Sequence, residues 1–287
     1  MFFKILNDKL KHQGFQYQEG LNTDFEGCGL FYSDDTNILT FSRGGSKIAM
    51  VTLPVGEVSI PANGKKYMSH QIILSNIRDL WTVETFQWLK SQGVDLHASN
   101  DLVLRCASER GHLDLVEYLV GQGADVNANN GYALSIASEL GYWDIAKYLL
   151  EQGADILAND GYALSAVSKK GRLDIVRYLI EHGFNVHTHN DFLLCCASEH
   201  GHLDLVEYLI EQGADIHAKD DSAIRWASKG DHLEVVKYLT EHGADIHAYG
   251  DQALYCAIEK DNLHMVKYLV EQGIDKSLAE KYLSKYL

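Results

Sequence analysis

From Gln71 to Glu280 the chain repeats itself every 30 residues without an insertion or deletion. When Asp101–Asn130 is laid over Gly131–Asp160 and the four segments that follow, column 18 is tyrosine throughout: Tyr118, Tyr148, Tyr178, Tyr208, Tyr238 and Tyr268. Column 19 is leucine and column 23 is glycine in all six. A fixed period in this range means a stack of like supersecondary units, each burying its apolar face on its neighbours. Such a stack offers a long surface rather than a closed pocket, which points toward binding of other macromolecules.

Each unit reads as two short helices and a turn. Column 1 is Asp or Gly, and an Asp there suits a helix N-cap, where its carboxylate takes an orphan backbone N–H. Apolar columns 4 and 7, such as Leu104 and Ala107, share one helical face. Gly111, Gly141, Gly171 and Gly201 end the first helix. Column 14 is acidic in five units, which suits the positive end of a second helix. Leu203, Leu205, Val206, Leu209 and Ile210 exemplify its buried stripe. The column-23 glycines, such as Gly123 and Gly213, stand where a left-handed C-cap is required. Column 6 is small in several units (Cys106, Cys196, Cys256), so Trp226 is expected to bury its indole between Cys196 and Cys256.

Gly-His-Leu-Asp-Leu-Val-Glu-Tyr-Leu at 111–119 and again at 201–209, with Gly-Ala-Asp-Val-Asn-Ala at 123–128, resembles the second helix and hairpin of the ankyrin repeat. The likeness covers about 210 of the 287 residues. It implies a mainly α ankyrin-repeat solenoid. Two departures stand out. The usual ankyrin unit has 33 residues, and Tyr-Ala-Leu-Ser at 132–135 and 162–165 replaces Thr-Pro-Leu-His. The missing residues fall at the hairpin tip, so shortened hairpins are expected. The expected organisation is a β-rich domain at 1–70, a degenerate capping repeat at 71–100, six repeats at 101–280, and the end of a capping helix at 281–287, that helix starting near Lys276.

Residues 1–70 do not repeat and hold both prolines, Pro54 and Pro61. Short apolar runs at 29–32, 38–41, 48–53 and 58–60 are separated by turn signals and read as strands. Ile72-Ile73-Leu74 reads as one more, which would delay the first repeat. Phe2-Phe3-Lys4-Ile5, Gly14-Phe15-Gln16-Tyr17, Gly29-Leu30-Phe31-Tyr32-Ser33-Asp34 and Val51-Thr52-Leu53-Pro54 are similar to the leader that precedes ankyrin arrays in giant DNA viruses of amoebae.

The formal charge is −15. Residues 101–280 hold 30 acidic and 14 basic side chains, a difference of 16, whereas residues 1–70 carry seven of each. An acidic array repels phosphate backbones, so nucleic-acid binding through the repeats is not expected. No apolar run reaches the length of a membrane span, and Lys4, Asp8 and Lys9 interrupt anything like a signal peptide. Five cysteines, three of them in column 6, read as small buried hydrophobes in a reducing compartment.

Candidate chemistry is sparse. Histidines gather in column 12 (His112, His202, His232) and column 27 (His97, His187, His217, His247). Stacked helices lie about 8–10 Å apart, too far for equivalent histidines to share a metal bound at about 2 Å. No metal or cofactor is expected. Gly44-Gly45-Ser46-Lys47 lacks the spacing of a phosphate loop. What remains is a partner-binding face. Column 2 gives an aromatic ladder of Tyr132, Tyr162 and Phe192, and Lys169 and Lys170 stand in the only net-positive unit, 161–190. Arg105 and Arg225 are taken with them. Aromatic and cationic anchors are common hot-spot chemistry.

The expected function is a non-catalytic, monomeric scaffold that binds a host or viral protein through the concave groove, in the cytoplasm of an infected host if viral. One alternative gives residues 1–70 a ligand-binding or enzymatic activity that the array targets. The other is an adaptor that recruits degradation machinery; the short tail after Glu280 ranks it lower.

Overall fold

The computed structural model describes residues 1–12, 15–23, 30–34, 38, 45–62, 66–274, 277, 279–280 and 284. The chain forms two compact units, Met1–Asp160 and Gly161–Leu287. Cys28, the strand expected at 39–41, Gly44 and nearly all of the expected C-terminal helix lie outside the described residues.

The first unit opens with nine strands: β1 (Phe2–Leu6), β2 (Lys11–His12), β3 (Phe15–Gln16), β4 (Gly20–Thr23), β5 (Leu30–Asp34), β6 (Lys47–Thr52), β7 (Ile60–Ala62), β8 (Lys66–Ser69) and β9 (Gln71–Asp79). Seven of them pair antiparallel in the order β4-β9-β6-β1-β5-β8-β7. Alternation of apolar residues buries one face: Leu6, Tyr17, Leu30, Tyr32, Ala49, Val51, Ile72 and Leu74 form its core. A bulge between Ile48 and Met50 shifts the β6–β9 register, and Asn76 opposite it takes the left-handed conformation. Lys4 is buried in β1 with its ammonium 4.3 Å from the Tyr17 ring centroid. Burial, then the charge of Lys66, lowers its pKa to about 7.

β9 takes Gln71–Asp79 into the sheet, so the sheet runs nine residues past the boundary expected at residue 70. Ile72 and Leu74 are buried with Ile73 half-buried between them, a period of two in burial, and this run is the further strand read from the sequence. Of the first repeat only one helix is present, α1 (Val83–Ser91), capped by Thr82, whose hydroxyl accepts from the Thr85 N–H at 3.3 Å. Trp81 stands where four of the later units have glycine. Its indole N–H donates to the Gly45 carbonyl at 3.0 Å, while its ring stacks on His112 and carries the Arg110 guanidinium at 4.6 Å.

Helix pairs follow. The first helices are α2 (Ala98–Arg110), α4 (Ala128–Leu140), α6 (Ala158–Lys169), α8 (Phe192–Glu199), α10 (Ala218–Lys229) and α12 (Ala248–Glu259). The second helices are α3 (Leu113–Gly121), α5 (Trp143–Glu151), α7 (Leu173–Glu181), α9 (Leu203–Glu211), α11 (Leu233–Glu241) and α13 (Leu263–Glu271). In the first unit α2 packs on α3 and α4; in the second α10 packs on α8, α11 and α12. The stripe expected from the columns is the core: Leu205, Val206 and Leu209 are buried in α9, as Leu115, Val116 and Leu119 are in α3. Gly123 ends α3 with φ of 98°, its N–H on Val120 O and that of Ala124 on Leu119 O. This is the bonding of a Schellman cap.

The hairpin has shrunk to a turn with no strand. Three left-handed residues replace it in each repeat, as in Ser99-Asn100-Asp101, Asn129-Asn130-Gly131 and Lys219-Asp220-Asp221. Left-handed backbone costs an ordinary L-residue about 1–2 kcal/mol. At these six turns columns 30 and 1 accordingly hold only Asn, Asp and Gly.

That turn changes the role of column 1. Asp191 and Asp221 do not cap their own helices. Each carboxylate accepts the N–H of column 25 of its own repeat, at the following turn: Asp191 from Asp215 at 3.0 Å and Asp221 from Asp245 at 2.8 Å. Asp101 does the same for Asp125 at 3.2 Å in the first unit. The histidine four residues earlier holds the carboxylate from the other side: His97–Asp101 at 2.7 Å, His187–Asp191 at 3.1 Å, His217–Asp221 at 3.0 Å and His247–Asp251 at 2.7 Å. Where column 1 is Gly131, Asn127 makes the junction itself, accepting from Asp155 N at 2.8 Å and donating to Gly153 O at 3.2 Å.

Candidate partner-binding face

The first helices bury columns 3, 4 and 7, and column 6 wherever it is Cys or Ala, and leave columns 2, 5 and 9 of most repeats, with Trp226 of column 6, at or near the surface. Column-12 histidines are structural: the His202 Nε2–H donates to the Lys169 carbonyl at 2.7 Å and that of His232 to the Glu199 carbonyl at 3.0 Å. Gly171 is required beneath His202, since a Cβ there would come within 2.5 Å of the imidazole. Among the described residues no group of three or more His, Cys, Asp and Glu could hold a metal ion. Burial raises the thiol pKa of Cys195 and Cys256 and pushes that of Cys196 up to about 12, so these thiols are poor nucleophiles at neutral pH.

The sequence-derived candidates separate into two groups. Tyr162 is 46% exposed, Lys169 and Lys170 are exposed on and just beyond α6, and Phe192 is half-buried at the start of α8. All four belong to the second unit. Tyr132 belongs to the first, half-buried, with the Arg105 guanidinium 5.8 Å from its ring centroid. Arg105 and Arg225 spend their guanidinium hydrogens within the chain. Arg105 donates to the Asn100 and Ser99 carbonyls at 3.0 and 2.8 Å, and Arg225 to the Asp220 and Lys219 carbonyls at 3.2 and 2.7 Å. Each arginine satisfies the carbonyls that the left-handed turn leaves open. Arg225 also donates to Gln252 Oε1 at 3.0 Å and lies 4.9 Å from the Tyr249 ring centroid.

Trp226 corrects an expectation. Its side chain is not enclosed between Cys196 and Cys256 but is 36% exposed, with the Lys229 ammonium 4.4 Å from its ring centroid. The two cysteines are buried without it, at 7% and 9% exposure. An indole is too large for a column that elsewhere holds Cys, Ala or Ile, so it turns outward. Tyr249 and Tyr255, 69% and 56% exposed, are further large aromatics that the column-2 ladder did not include. Reading columns 5, 6 and 9 down the repeats, as column 2 was read, picks out Tyr255, Trp226 and Lys229.

The family model described as ankyrin repeats (3 copies) matches residues 79–160, 159–220 and 219–280. The chain belongs to the ankyrin-repeat family. Ankyrin repeat proteins of Acanthamoeba polyphaga mimivirus are similar to it: one is 30% identical over 128 residues, 40% of this chain and 39% of the relative. A second is 34% identical over 140 residues, 40% of this chain and 46% of the relative. The matched stretch thus spans less than half the length of either. Among solved structures, the human ASB11 ankyrin repeat domain superposes with a TM-score of 0.52 at 25% identity, over 61% of this chain and 85% of that one. Ankyrin repeats generally mediate protein–protein interactions. No helix among the described residues is long and apolar enough to cross a membrane.

Proposed function

We propose that this ankyrin-repeat protein is a non-catalytic scaffold that binds another protein through the exposed face of its first helices. The observation that carries the reading is the exposure of large aromatic rings beside cations on that face: Tyr162 with Lys169 and Lys170, and Trp226 with Lys229. Rings and cations left in solvent contribute little to folding and are effective interface anchors. The surrounding acidity disfavours phosphate backbones. The likeness to mimivirus proteins supports a place in an infected cell, the partner being a host or viral protein.

The test is capture from amoebal lysate by the full chain and by Tyr162→Ala and Lys169→Glu variants, with nuclease-treated lysate alongside. A protein retained by the wild type and by nuclease-treated samples, and lost with Tyr162→Ala, supports the reading. Lys169→Glu should mainly slow association and change its salt dependence. Equal retention by all variants places the interface elsewhere.

A further inference from the structure

Column 9 of four consecutive repeats in the second unit alternates in charge: Lys169, Glu199, Lys229, Glu259. Lys169, Lys229 and Glu259 are exposed and Glu199 is half-buried. None of the four enters an ion pair among the described residues. The backbone under the row is pinned, because His202 and His232 hold the carbonyls of Lys169 and Glu199. Packed helices repeat at about 8–10 Å, so the row is a ruler of alternating charge with that spacing. Beside it stand two exposed aromatics from successive repeats, Trp226 and Tyr255.

We infer that this face, if it is the binding surface proposed above, docks an amphipathic α-helix of the partner protein. One face of that helix carries acid, base, acid and base at seven-residue intervals, with apolar residues between them. Spacing decides the shape. An α-helix returns to the same face after seven residues and about 10.5 Å, close to one repeat. A β-strand returns to a face after about 6.7 or 13 Å and falls out of step. A polyproline segment has a suitable period of about 9.3 Å, but three residues per turn leave no same-face position between successive charges. The helix has such positions, at i+3 and i+4, and these would cover Trp226 and Tyr255. Charge sign decides the order: acids face Lys169 and Lys229, bases face Glu199 and Glu259.

The probe is a fluorescein-labelled synthetic helix of about four heptads, with Glu, Lys, Glu and Lys in that order and leucines between. Its charge-reversed twin, a proline-rich peptide with the same charges every third residue, and a single-stranded oligonucleotide are measured beside it by anisotropy against the full chain. The matched helix should bind at least about ten-fold more tightly than its twin. Lys229→Glu should abolish or invert that preference. Trp226→Ala should weaken the matched helix at least about ten-fold at unchanged melting temperature, since the ring is partly in solvent. Glu139→Lys, in the first unit, should leave both affinities unchanged. Equal affinities for the two helices, binding of neither, tighter binding of the proline-rich peptide or the oligonucleotide, or a preference that survives Lys229→Glu overturns the inference. If the captured partner still depends on Tyr162 in that event, the binding face stands and only its helical ligand is wrong. If no variant on the face changes either measurement, both readings fall.

Discussion

Asp101 in the first unit and Asp221 in the second perform the same task, each holding the column-25 N–H at the following turn with a histidine behind it. Glu139 and Lys229 also share a column, yet one is an acid whose predecessor Glu109 is another acid, and the other a cation lying against an exposed indole. The same backbone device thus carries two different surfaces. Residues that set the geometry of the repeat recur because every repeat must satisfy the same polar groups and fill the same volume. The surface columns are free of those demands, so departures there are where a partner can be read.

The largest test of the shared geometry lies in the core. Leu119→Ala and Leu239→Ala remove equivalent, fully buried side chains from α3 and α11. Each should cost about 2–5 kcal/mol, and the two losses should be alike. A denaturant midpoint that moves for only one would break the equivalence of the repeats.

Next come the glycines under column 12. A Cβ at Gly111 would come within 2.6 Å of the Tyr142 ring, and one at Gly171 within 2.5 Å of the His202 ring. Both have positive φ, 77° and 63°. Alanine at either should cost about 2–3 kcal/mol, the left-handed penalty plus displacement of the ring. A melting temperature unchanged in Gly171→Ala would show that the imidazole does not rest there.

The surface columns should diverge where the buried ones agree. Trp226→Ala is expected to remove about 2 kcal/mol of partner binding, whereas Ile136→Ala, the same column in the first unit, should leave it unchanged. Calorimetric titration of the captured partner decides between them, and equal losses would erase the distinction between the two faces.

The smallest effect belongs to the junction. Asp101→Ala and Asp221→Ala should each cost about 1 kcal/mol for the lost hydrogen bond between successive turns. Hydrogen exchange at the Asp125 and Asp245 amides should accelerate in step.

Much of this was legible in the residues. The thirty-residue frame placed the helices and their buried stripe, and Gly123 announced its cap. The shortened hairpin followed from the count of residues between Gly123 and the next helix. The role of Asp221 was not legible, because a carboxylate at a turn suits a helix cap as well as a junction, and only three successive left-handed residues turn it away from its own helix. Trp226 was misjudged since the cysteines of its column are buried, and column membership says nothing about a side chain too large to follow. β9 was legible in Ile72-Ile73-Leu74, but its full length was not, because the repeat frame was carried back to Gln71. Arg105 and Arg225 looked free because the carbonyls they serve belong to a turn that departs from the usual hairpin.

The histidine and aspartate of one junction stand four residues apart, on opposite sides of the boundary at which the repeats are counted. A gene duplication or a laboratory graft cut at column 30 would part them, leaving a histidine facing glycine or an aspartate facing leucine. One cut just after the column-23 glycine would carry both partners on a single cassette, together with the whole turn that aims them. Chimeras spliced after Gly153 and Gly183 should therefore insert or lose a repeat cleanly, where those spliced after Asp160 and Asn190 should not, since a loss there sets Asp191 against Leu157 and an insertion sets His187 against Gly161. The heritable module of this protein begins in its turn, ahead of the helix with which it appears to start.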